Sequence, residues 1–102
     1  MQIDISSHIG NHQLTIRIAG KFTFQAHNEF RKSFHGLLSE QIAVVTLDFA
    51  ELDYIDSSAL GMLLTLRAAC EKLPNKIRLI NSTPKVKAIL KIANFERLFE
   101  IS

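Results

Sequence analysis

The sequence predicts one small α/β domain over residues 1–102, a mixed sheet with an N-terminal hairpin and helices packed on it. Three observations predict it. The chain has 102 residues, 47% of them apolar and 22% charged, enough for one core and too few for two. Its first twenty residues alternate apolar and polar on either side of Gly10-Asn11. Thereafter, segments with helical and strand periodicity take turns, which implies right-handed crossovers and a partly parallel sheet.

The elements follow in order. Ile3 to Ile9 and Leu14 to Ile18 are the two arms of the hairpin, with Gly10-Asn11 as its turn. Leu14, Ile16 and Ile18 share one face, Thr15 and Arg17 the other, and Gly20 ends the second strand. A first helix is expected from about Ala26 to Leu38, because Phe30, Phe34, Leu37 and Leu38 form an apolar stripe opposite Glu29, Arg31 and Lys32. Gly36 weakens its last turns. Ala43–Leu47 is a short, β-branched apolar run that suits a buried strand. A second helix is expected from about Ser57 to Lys72, stopped by Pro74-Asn75, and Ile77–Ile80 alternates as another strand. Thr83-Pro84 starts a last helix, with proline at its first position and Val86, Ile89, Leu90 and Ala93 on its buried face. Phe95, Leu98, Phe99 and Ile101 then close the chain as a short helical or extended flap over the core.

Composition excludes several functions. A net charge of +2 with no basic run gives no grip on nucleic acid. The single cysteine, Cys70, has no intramolecular partner, which suits a reducing cytoplasm. The start of the chain does not read as a signal peptide, and no apolar run reaches the roughly 18 residues of a membrane span, so no membrane insertion is expected. A phosphate-cradling glycine loop, a Gly-x-Ser-x-Gly elbow and paired cysteine or histidine ligand motifs are all missing. His8, His12, His27 and His35 lack ligand-like spacing, so no metal or other cofactor is expected. Neither a long heptad repeat nor an obvious exposed edge demands a dimer, and the free protein is expected to be monomeric.

The informative stretch is the junction between the Ala43–Leu47 strand and the second helix, Asp56-Ser57-Ser58. Asp and Ser are favoured before a helix because their side-chain oxygens accept hydrogen bonds from first-turn N–H groups. A hydroxyl there also stands at the positive end of the helix dipole, where a phosphate is favoured. Structural capping and a modified site are both compatible with these residues. On a helical wheel, Met62, Leu63, Leu66, Ala69, Cys70 and Leu73 form one apolar arc, and Leu60 and Leu64 fall outside it. That leucine pair, one turn from Ser57, is either covered by a neighbouring helix or left for a partner.

The run Leu47-Asp-Phe-Ala-Glu-Leu-Asp-Tyr-Ile-Asp-Ser-Ser-Ala-Leu-Gly61 resembles the signature of the STAS domain, in particular that of bacterial anti-sigma factor antagonists. The likeness extends to the Gly-Lys-Phe-Thr exit of the second strand and to Thr83-Pro84-x-Val86. The resemblance implies a cytoplasmic signal-transduction protein and not an enzyme. Its phosphoacceptor would be Ser57, with Ser58 as second choice, and Asp56, Ser57, Ser58, Ala59, Leu60, Leu64 and Thr23 would meet the partner. That partner would be a serine kinase acting as anti-sigma factor, to which ATP and magnesium belong, and a PP2C-type phosphatase would reverse the reaction. The unphosphorylated form would bind and the phosphorylated form release. Two departures bear on partner identity: Ala59 replaces a frequent glycine, and Thr23 replaces a frequent acidic residue. The resemblance implies regulation of transcription, and the departures leave open a pathway other than sigma-factor release, such as control of biofilm formation or surface polysaccharide. The alternative is a constitutive STAS scaffold subunit of a membrane-lipid transporter complex, in which Asp56-Ser57 is only a cap.

Overall fold

A computed structural model describes residues 3–36, 41–70 and 76–102. Strand β1 (Ile3–Gly10) pairs antiparallel with β2 (Gln13–Phe22) in unbroken register, Ile3 opposite Gly20 through Gly10 opposite Gln13. The two-residue turn is Asn11-His12 and not Gly10-Asn11. Both residues have positive φ, 52° and 62°, the geometry whose twist matches that of the flanking strands. Gly10 is the last paired residue of its strand.

Strand β2 is the spine of the sheet. Its first half pairs in parallel with β3 (Val44–Asp48), its second half with β4 (Leu52–Ile55). Gly20 therefore does not end the strand. It sits at φ 94° beside a register shift between Gly20 and Lys21, and the strand resumes to Phe22. β4 has no counterpart among the expected elements, and its four residues bury only Leu52 and Ile55 around exposed Asp53 and Tyr54. Strand β5 (Lys76–Ile80) lies parallel to β3, and β6 (Glu100–Ile101) parallel to β5, giving the order β1-β2-β3-β5-β6. The chain end is helical and then extended, a 3-10 turn at Phe95–Arg97 with Phe95 and Phe99 buried, and its extended part joins the sheet as an edge strand.

Helix α1 spans His27–Phe34 after a 3-10 turn at Phe24–Ala26 and gives way before Gly36, φ 78°. Leu37 and Leu38 lie outside the described residues, as do Leu73 and Pro74-Asn75. Helix α2 spans Ser57–Ala69, and α3 spans Pro84–Ile92. Thr83 caps α3 through its Oγ1, which accepts from the Val86 N–H at 3.3 Å. Of the arc expected on α2, Met62, Leu63, Leu66 and Cys70 are buried, but Ala69 is exposed. Ala59, one turn before Met62 and Leu63 on the same helix, is fully buried and extends the arc.

These helices cover one sheet face, on which Leu14, Ile16, Ile18, Val45, Leu47 and Leu79 are buried. Phe22 and Phe30 meet there with ring centroids 5.1 Å apart, and each such buried ring contributes about 1.5–3 kcal/mol over an exposed one. The opposite face is polar: Arg17 reaches Asp48 at 3.8 Å, and the Thr46 hydroxyl donates to Gln13 Oε1 at 3.3 Å. Ile55 and Ala59, 2% and 0% exposed, anchor the residues on either side of Asp56-Ser57-Ser58. A slip of one position would expose one anchor, so the two serines are fixed on the outside.

Candidate functional site

Asp56 ties three segments together. Its backbone is extended, and its Oδ1 accepts a hydrogen bond from the Ala59 N–H at 2.8 Å, the N-cap contact of α2. Its Oδ2 accepts from the Phe24 N–H at 3.4 Å, and its own N–H donates to the Phe22 carbonyl at 3.2 Å. The exit of β2 is thereby fastened to the start of α2. This brings Thr23, half-buried, and Phe24 beside the Asp-Ser-Ser turn, though more than thirty residues separate them in sequence.

Ser57 and Ser58 open α2 and are both exposed, and neither hydroxyl has a hydrogen-bond partner among the described residues. The capping work therefore falls on Asp56, and the serine oxygens remain available. Their surroundings differ. Ser58 lines a groove of about 180 Å³ between α1 and α2, together with His27, Arg31, Gly61 and Thr65 over a floor of Phe30, Phe34 and Met62. Ser57 is not among its lining residues.

The other predicted contact residues divide. Leu64 is 42% exposed and belongs to the outer surface. Leu60 is half-buried and packs against the core, so the leucine pair is not an open patch. Ala59 is 0% exposed: its methyl is part of the core and is not offered to a partner, which corrects its place among the contact residues. Phe24, 67% exposed beside Asp56, was missed by the sequence reading, as were His27 and Arg31. The signal for Phe24 was the pair Phe22-x-Phe24. Strand parity would put both rings on one side, but the strand ends at Phe22 and the 3-10 turn rotates Phe24 outward.

Fold and site together define a small α/β module that presents a rigid, capped Asp-Ser-Ser turn on its surface. Among the described residues there is no cluster of three metal-ligating side chains, and no helix is long and apolar enough to cross a membrane. The chain belongs to the STAS domain family, whose profile spans residues 2–102. A STAS-domain containing protein of Pseudomonas aeruginosa is 44% identical over 94 residues, 88% of each chain. Among solved structures, a putative anti-sigma factor antagonist of Thermotoga maritima superposes with a TM-score of 0.83 at 18% identity, over 95% of this chain and 84% of that one. The phosphorylated form of the Bacillus cell fate determinant SpoIIAA gives 0.64 at 16% identity over 99% and 91%. A sulfate transporter family protein of Wolinella succinogenes gives 0.78 at 16% over 92% and 79%.

Proposed function

We propose that this domain is a phosphorylation-controlled binding module of the anti-sigma factor antagonist type, with Ser57 as its acceptor. The observation that carries the reading is the division of labour at the turn: Asp56 caps α2, which leaves the Ser57 hydroxyl exposed and unpartnered at the first helical position. A residue needed only as a cap would spend its oxygen on the helix. Ser58, equally exposed, is the second choice, and the preference for Ser57 rests on the resemblance of the Asp-Ser-Ser turn to the family signature. In this reading the partner is a serine kinase with anti-sigma activity that brings ATP and magnesium, and a PP2C-type phosphatase restores the binding form.

Electrostatics supplies the switch. A phosphoryl group on Ser57 adds about −1.5 to −2 charges at neutral pH. The domain tolerates them, since they fall at the positive end of α2. A partner packed over Thr23, Phe24, Ser58 and Leu64 would instead have to desolvate a dianion beside the Asp56 carboxylate. A loss of about 3 kcal/mol there is roughly a hundredfold in affinity. The test is partner affinity for Ser57→Ala and Ser57→Asp. The alanine variant is expected to bind at least as tightly as wild type and to resist release by ATP; the aspartate variant is expected to bind at least tenfold more weakly. Equal binding by both would overturn the charge mechanism.

A further inference from the structure

We infer that β1 is a self-association edge through which two copies of this chain join their sheets antiparallel about a twofold axis at Ser7. The inference stands apart from the phosphorylation reading and replaces the monomer expected from the sequence with a weak dimer. β1 is an outer strand of eight residues, Ile-Asp-Ile-Ser-Ser-His-Ile-Gly, and only its inner side is paired. Its described residues make no backbone hydrogen bond beyond those to β2, so a row of N–H and C=O groups faces outward. Edge strands are normally blunted by lysine, proline, a bulge or short length. β1 has no lysine or proline, its one formal charge is Asp4 near its start, and its register with β2 runs without a shift over all eight pairs. The opposite edge of the sheet, β6, is only two residues long.

The side chains say which occupant fits. Ile5 opposite Ile18 and Ile9 opposite Leu14 place both isoleucines on the helix-covered face. There Ile5 is half-buried against the core, but Ile9 remains 47% exposed at the outer end of that face. A twofold at Ser7 sets Ile5 of one copy opposite Ile9 of the other, twice, and covers the exposed isoleucine. The same register sets Ser6 opposite His8 and Asp4 opposite Gly10, leaving Asp4 diagonal to His8 of the second copy and within side-chain reach. No two formally charged side chains stand directly opposite each other, and the second copy's His8 is the other diagonal neighbour of His8. Because the axis stands perpendicular to the sheet, both helix layers stay on one side and the strands continue as a single sheet. The symmetry closes after two copies, since each chain has used its β1 edge.

One strand pairing is small beside a standard interface of about 1,600 Å², so the dimer is expected to form in the micromolar to near-millimolar range. The test uses the full chain in sedimentation velocity across that range, together with single-cysteine cross-linking. The one native thiol, Cys70, is buried and leaves the gel readable. Ser7→Cys is expected to give a disulfide dimer under mild oxidation much faster than a distant exposed control, Glu96→Cys. Ser7→Lys sets two ammonium groups opposite each other at the axis and is expected to weaken dimerisation at least tenfold. Ser7 is exposed, so the unfolding midpoint of the diluted monomer should not move. A monomer throughout the range, or Ser7→Cys cross-linking no faster than the control, would overturn the inference. Faster linkage through Ser6→Cys would overturn the Ile5–Ile9 register.

Discussion

Replacing Asp56 by alanine is the sharpest test of how the turn is built. The substitution removes the 2.8 Å bond that satisfies the Ala59 N–H, the longer 3.4 Å bond from the Phe24 N–H, and a negative charge at the start of α2. Loss of an N-cap side chain costs about 0.5–2 kcal/mol, and loss of the charge at a helix N-terminus about 0.3–1 kcal/mol. The 3.4 Å bond is near the limit of useful geometry and adds little. The expected loss is therefore about 1–3 kcal/mol, a fall in Tm of roughly 5–15 °C for a domain of this size. Equilibrium urea unfolding would read it directly, with two companions. Asp56→Asn keeps a capping oxygen without the charge and should lose less than about 1 kcal/mol. Ser57→Ala removes an unpartnered hydroxyl and should stay within about 0.5 kcal/mol of wild type. A loss at Ser57→Ala equal to that at Asp56→Ala would refute the division of roles between the two residues.

Two further substitutions probe the frame around the site. Gly61 is an exposed glycine inside α2, and a Cβ built there meets nothing within 4 Å. Gly61→Ala should accordingly raise stability by up to about 1 kcal/mol in urea unfolding, because it removes backbone entropy from the unfolded chain without a clash. Ala59→Leu forces extra volume into a closed part of the core and should cost about 1–3 kcal/mol in the same assay, in contrast to the tolerance expected of a surface contact residue.

The layout of the domain was legible because its longer elements bury one face only. Leu14, Ile16 and Ile18 alternate as a half-buried strand must, and Thr83-Pro84 states a helix start in two residues. β4 was not legible: four residues with a polar middle carry too little periodicity, and they become a strand only because β2 continues past Gly20 to receive them. The hairpin turn was misplaced by one residue because Asn11-His12 carries no glycine, although asparagine tolerates positive φ. At the site, Asp56, Ser57 and Ser58 could be read from local capping chemistry. Phe24, His27 and Arg31 could not, since they reach the turn only through the packing of α1 beside α2. Ala59 illustrates the converse error. The resemblance implied a partner contact there, yet Ala59 is the third residue of α2 and its methyl is buried.

The central claim is that Ser57 carries a reversible phosphate. The most direct measurement is the intact mass of the protein isolated from its own cells, before and after phosphatase treatment, beside a Ser57→Ala variant. The account predicts a phosphatase-sensitive increment of one phosphoryl group that vanishes in the variant. A single unmodified mass in every growth condition would contradict it and would leave the turn, capped by Asp56, as part of a constitutive scaffold.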